Sequence, residues 1–115
     1  MTAPQPRYVP DRGDLVWLSF TPQAGHEQAG HRSALVVSRK SYNGKVGLAL
    51  LCPITSAVKG YPFEVVLPPG GRIGGVVLAD QIKSLDWRAR KVKLEGRAPP
   101  DVVDEVVAKV QVLLE

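Results

Sequence analysis

Both histidines of the chain fall in one short stretch. Residues 21–32 read Thr-Pro-Gln-Ala-Gly-His-Glu-Gln-Ala-Gly-His-Arg, so His26, Glu27, Gln28, His31 and Arg32 crowd together just before an apolar run. These types can accept a proton, donate one and bind an anion. An imidazole ordinarily exchanges protons near neutral pH. A guanidinium offers a planar fork of donors to a phosphate or carboxylate. Two histidines and one glutamate do not match a zinc motif, and a single cysteine, Cys52, excludes cysteine-pair metal sites and an internal disulfide. No cofactor is implied. The plain alternative is a solvated polar loop, and composition alone favours it.

The elements that must position this loop are short strands. Asp14–Phe20 is apolar and β-forming, after the turn at Arg12-Gly13. Ala34–Val37 reads as a second strand, and Tyr42-Asn43-Gly44-Lys45 carries an Asn-Gly turn signal. Val46–Ile54 is continuously apolar and reads as a central third strand, with Pro62–Leu67 and Gly75–Ala79 as a fourth and fifth. Pro68-Pro69-Gly70-Gly71 connects the last two. Val92–Glu95 alternates as a final strand. From Pro100 onward Val102, Val103, Val106, Val107, Val110, Leu113 and Leu114 recur at helical spacing. Valine favours strands, but this stripe buries one face only as a helix. Pro100 suits the first helical position, and Asp101, Asp104 and Glu105 suit the positive end of the helix dipole. The expected fold is mainly β with a C-terminal helix, a small SH3-like barrel or half-open sheet.

The 115 residues suit one domain over 1–115, with residues 1–7 expected as a flexible N-terminus. Fifteen Lys and Arg against eleven Asp and Glu give a net charge of +4. That surplus suits either ordinary solubility or an anionic partner. The basic residues are spread, with local density at Lys83, Arg88, Arg90, Lys91, Lys93 and Arg97, which suits a folded basic face. No apolar run approaches a membrane span. Met1–Pro6 lacks the apolar core of a signal peptide, so the expected location is the cytoplasm, with no membrane partner.

Five blocks occur in order: Tyr8-Val9-Pro10-Asp11 with Gly13-Asp14-Leu15, then Glu27-Gln28-Ala29-Gly30-His31-Arg32, Lys59-Gly60-Tyr61-Pro62-Phe63-Glu64-Val65, Leu78-Ala79-Asp80-Gln81-Ile82-Lys83-Ser84, and Trp87-Arg88-Ala89-Arg90. This pattern resembles the MazF/PemK family of toxin endoribonucleases, from about Tyr8 to the terminal helix. The resemblance implies an SH3-like homodimer that cleaves single-stranded RNA without a metal and is neutralised by a MazE-like antitoxin with an acidic tail. It implies Arg32 and Thr55 as the catalytic pair, with Glu27 also contributing. It places His26, Gln28, His31, Ser56, Asp80 and Gln81 as RNA contacts.

Some roles remain open on the residues themselves. Arginine holds its proton to a pKa above ~12, so Arg32 suits a transition-state clamp, with Glu27 or His31 as proton acceptor. Glu27 can equally orient Arg32 through an ion pair. Lys83, Arg88 and Arg90 are candidate phosphate contacts or a solvated basic face. Trp17 and Phe20 read as core. Trp87 reads as a stacking surface or a residue buried at a dimer or antitoxin contact. Cys52 reads as an inert core thiol. The exposed part of the helix stripe is expected to serve dimerisation. Ser33 stands where many relatives have proline, and the glycine pairs 70–71 and 74–75 loosen their connection, which leaves the cut-site sequence open. The rival reading is a CcdB-like protein that traps DNA gyrase without cutting RNA.

Overall fold

The structure, a computed structural model, describes residues 8–19 and 30–115. Seven strands and two α-helices follow in the order β1 (Asp14–Ser19), β2 (His31–Val36), α1 (Lys40–Val46), β3 (Leu48–Thr55), β4 (Glu64–Val66), β5 (Val76–Leu78), β6 (Lys83–Asp86), β7 (Lys93–Arg97) and α2 (Pro100–Val112), with a 3-10 turn at Ala79–Gln81. All pairings are antiparallel, in the order β4-β5-β3-β2-β1-β7, and β6 also pairs with β3. The fold is therefore mainly β with a C-terminal helix, as expected, and the pairings trace an open path rather than a closed ring.

β3 is the centre of this arrangement. One edge takes β2; the other takes β6 along Leu48–Leu51 and then β5 at Ile54–Thr55. Its two faces feed two cores, which explains a continuous apolar run with no alternation. Cys52 and Ile54 join Leu15, Leu35, Val65, Val77, Val102 and Val106 under α2. Ala49 and Leu51 join Val16, Leu18, Ala34, Val36, Leu85 and Trp87 on the opposite face. Burial of Val102 and Val106 is what holds the valine-rich segment helical against its propensity. Among the described residues no helix is long and apolar enough to cross a membrane.

Three expectations need correction. The Asn-Gly signal does not make a hairpin: Tyr42–Lys45 lies inside α1, and the chain turns at Gly47, whose φ of 84° lets its N–H cap the helix on the Asn43 carbonyl. Tertiary hydrogen bonds override the local preference. The buried Asn43 amide donates to the Pro10 and Ser38 carbonyls, and its oxygen accepts from the Ser38 hydroxyl. Trp87 is buried within the protomer, and its indole N–H donates to the Asn43 carbonyl at 3.0 Å, so its stacking surface is spent internally. Trp17 is not core. Its neighbours Val16 and Leu18 fill one core, but Trp17 points to the other face, where it stacks on His31 and stays 42% exposed. Phe20 lies outside the described residues. β6 carries a single buried apolar residue, Leu85, and its strand identity comes from pairing with β3.

Candidate active site

Arg32 sits at the outer end of β2 and Thr55 at the last position of β3. The β2–β3 register pairs Ala34 with Pro53. Continued by two residues, that register sets Arg32 opposite Thr55. Both residues line two adjoining depressions and form the wall between them. One, about 400 Å3, is lined by Trp17, His31, Ser33, Ser56, Arg72 and Ile73 as well as this pair. The other, about 190 Å3, adds Ala57, Lys59, Tyr61, Glu64, Leu78 and Gln81. Arg32 is exposed and lines both depressions.

The Thr55 hydroxyl is held as an acceptor. Its Oγ1 accepts the Ala57 N–H at 3.1 Å, which leaves the hydroxyl proton available to donate. The following turn is tied down by Glu64, whose two carboxylate oxygens accept the Lys59 and Gly60 N–H groups at 3.0 and 2.8 Å. The backbone under Thr55 is fixed by Gly75. A Cβ built there would lie 2.2 Å from the Thr55 carbonyl oxygen, and Gly75 has φ +107°. Only glycine permits that approach.

The first depression is walled by rings. Trp17 and His31 stack with centroids 6.0 Å apart and planes 20° from parallel. In the second, Tyr61 donates its hydroxyl to Asp80 Oδ1 at 2.7 Å; the adjacent carboxylate raises the phenol's pKa by favouring its protonated form. Cys52 is buried behind the site, and desolvation, with a smaller contribution from the Asp80 charge, pushes its thiol up to about 12, consistent with an inert core thiol.

The structure thus gathers Arg32, Thr55, His31, Ser56 and Gln81 at one groove. Asp80 stands behind it and holds Tyr61. Lys83 and Arg88 line neither depression: Lys83, at the start of β6, pairs with Leu51 of β3, and the Arg88 guanidinium lies 4.8 Å above the Trp87 ring in a separate hollow with Tyr8 and Lys91. Arg90 donates to the Ser19 carbonyl at the end of β1. His26, Glu27 and Gln28 lie outside the described residues. Sequence reasoning missed Trp17, Lys59, Tyr61, Glu64 and Arg72 as groove residues. A Trp-His pair on facing strands was the signal for Trp17; nothing local marks Arg72.

Residues 11–114 match the family described as PemK-like, MazF-like toxin of type II toxin-antitoxin system. The chain belongs to this family. It is 52% identical over 108 residues to the endoribonuclease toxin MazF of Escherichia coli K12, covering 94% of this chain and 96% of the relative. A crystal structure of MazF from Deinococcus radiodurans is 58% identical, covers 94% of this chain and 98% of its own, and superposes with a TM-score of 0.85. A MazE-MazF crystal structure from the same organism is 52% identical, with 94% and 97% covered and a TM-score of 0.84. At this likeness the MazF-like chain is an endoribonuclease toxin. The gyrase-poison alternative finds no support among these relatives.

Proposed function

We propose that Arg32 and Thr55 form the cleavage centre of this MazF-like toxin, and that it cuts single-stranded RNA by attack of the RNA's own 2′-hydroxyl. The observation that carries the reading is the shared wall: a guanidinium and an oriented hydroxyl flank one groove with a depression on either side. In the step, the 2′-oxygen forms a bond to phosphorus as its proton passes to a base, and the P–O5′ bond breaks with a proton delivered to the 5′-oxygen. The products are a 2′,3′-cyclic phosphate and a 5′-hydroxyl. Arg32 neutralises the growing charge on the phosphoryl oxygens, and Thr55 adds a neutral donor. His31 or Glu27 accepts the proton. Because the nucleophile belongs to the substrate, no metal is required to generate it.

His26 and Gln28, with Ser56 and Gln81, serve as RNA contacts in this reading, Asp80 acts through Tyr61, and Lys83, Arg88 and Arg90 supply a more distant basic face. The partner is a MazE-like antitoxin whose acidic segment suits the net positive charge, and such a system works in the cytoplasm. Pairing of two copies would cover apolar surface that one copy leaves open, including Leu114 at 83% exposure and Val66 at 66%.

The test is cleavage of a short RNA oligonucleotide in EDTA, with product ends identified by mass. The expected products carry a cyclic phosphate and a 5′-hydroxyl, and a single 2′-deoxy nucleotide at the cut site abolishes cutting. Cleavage of the deoxy substrate at an unchanged rate would eliminate the internal nucleophile.

A further inference from the structure

We propose that Arg72 is an RNA-binding residue that is parked on Glu95 in the free protein and transferred to a backbone phosphate next to the scissile one when RNA fills the groove. The inference rests on the endoribonuclease reading of the same groove.

Arg72 lies on the connection between β4 and β5. Its guanidinium Nη1 is 3.1 Å from Glu95 Oε1, with the arginine side chain 72% exposed and the glutamate 17% exposed. It lines the same depression as Arg32, Thr55 and the Trp17–His31 stack, but not the depression of Tyr61 and Gln81. It therefore stands to one side of the proposed scissile phosphate, where a neighbouring nucleotide must pass. Arg72 also lines a further cavity of about 430 Å3 with Leu67, Pro68, Pro69 and Arg97 among others, so it stands between that cavity and the depression of Arg32 and Thr55.

The backbone allows the transfer. The loop is closed at its base by Leu67 N–H donating to the Gly75 carbonyl at 2.9 Å. Within it, Ile73 packs against the core, but Cβ atoms at Gly70 and Gly74 would meet nothing within 4 Å and Arg72 itself is exposed, so the arginine side chain has room to swing while Ile73 and the close approach at Gly75 hold the loop in place. The arginine end of the pair is in solvent, which screens the attraction, so a phosphate can compete with the Glu95 carboxylate for it. A phosphate accepts the same forked donor geometry as the carboxylate. The anchor at Gly75 touches the backbone of Thr55, so the loop that carries Arg72 is registered directly on the reacting centre.

The experiment measures binding and cleavage separately. A fluorescein-labelled oligonucleotide with a 2′-deoxy cut site is titrated by anisotropy at several salt concentrations, and the all-ribose version is followed for kcat. Arg72→Ala is expected to raise Kd about five- to tenfold, to make the log Kd against log salt slope shallower by about 0.7, as for one lost phosphate contact on a single strand, and to leave kcat within about twofold. Arg72→Lys recovers most of the slope. Glu95→Gln, which frees the arginine, gives a Kd at or below wild type. An unchanged Kd and slope in Arg72→Ala overturns the proposal. So does a Kd raised equally by Arg72→Ala and Glu95→Gln, which marks the pair as a structural strut. Because the anisotropy arm does not depend on cutting, a failure of RNA cleavage by the unmodified protein would count against the endoribonuclease reading separately.

Discussion

The contact between Gly75 and Thr55 gives the sharpest test of how this fold positions its chemistry. Adding one methyl at Gly75 would place a carbon 2.2 Å from the Thr55 carbonyl oxygen, 2.9 Å from its carbonyl carbon and 3.1 Å from Ser56 Cα. Ordinary contacts between such atoms lie near ~3.5 Å, so relief requires a displacement of about 1 Å. Backbone is on both sides of the clash, and no side chain can swing away. Residue 75 also has φ +107°, where a side chain adds about 1–3 kcal/mol of strain. Domains of this kind carry roughly 5–15 kcal/mol of stability, so the Gly75→Ala protein should still fold. Its melting temperature should drop by about 10–20 °C if the strain reaches 2–3 kcal/mol. A misplacement of about 1 Å at a reacting group lowers rate on the order of 100-fold. The assay is single-turnover cleavage of an oligonucleotide together with thermal melting. Gly71→Ala is the control: the residue lines neither depression, its methyl meets only the Ile73 carbonyl oxygen at an ordinary 3.7 Å, and rate and melting should match wild type. A folded Gly75→Ala protein with a rate within about threefold of wild type would refute the claim that this glycine sets the Thr55 position on which cleavage depends.

Three further outcomes are expected. Arg32→Ala should lower kcat/KM about 100-fold or more, equivalent to ~3 kcal/mol of lost transition-state stabilisation, and Thr55→Val should lose less because it removes a neutral donor; a folded Arg32→Ala enzyme within tenfold of wild type contradicts the assignment. Trp17→Ala should raise KM by about 5- to 100-fold, the range for losing one base-stacking surface, whereas Trp17→Phe restores most of it; equal KM values in all three proteins would remove Trp17 from the RNA path. Burial pushes the Cys52 thiol from 9.0 to about 12, so above pH 9 the unfolded chain releases this proton and the folded one retains it. Stability must then fall as pH rises from about 9 toward 12, by at most about 1.4 kcal/mol per unit from this group. Urea midpoints between pH 8 and 10 should show that decline, and Cys52→Ala should flatten it; identical slopes in the two proteins would exclude Cys52 as the source.

The site was legible where local chemistry and chain order coincide. Arg32 stands out as the charged residue closing a polar stretch before an apolar strand, whereas Thr55 was marked only by the family resemblance. Antiparallel pairing then has only to set two strand ends side by side. Arg72 was not legible, because it lies 40 residues from Arg32 and reaches the groove only through the β4–β5 connection. Tyr61 and Asp80 carried no sign that one would hold the other, 19 residues apart.

The amino-acid order by itself determined the strand-rich architecture, since apolar runs of β-formers separated by glycine and proline have no other way to bury their side chains. It also determined the terminal helix, because Val102, Val103, Val106, Val107 and Val110 share one face only at helical period, whereas a strand would split them between its two faces. Tertiary structure decided what depends on neighbours distant in sequence. Asn43-Gly44 became helix because the buried Asn43 amide makes two hydrogen bonds with Ser38 and one with the distant Pro10 carbonyl, and the Trp87 indole donates to the Asn43 carbonyl. Trp17 stayed at the surface because Leu15, on the same face, joins the core with Val102 and Val106 of α2, whereas Trp17 lies against His31 at the groove. Lys83–Asp86 became a strand because the free edge of β3 had to be hydrogen-bonded. Periodicity records which face of an element is apolar; it does not record how far the opposing element extends, and that distance is what separates a core residue from one that lines the groove.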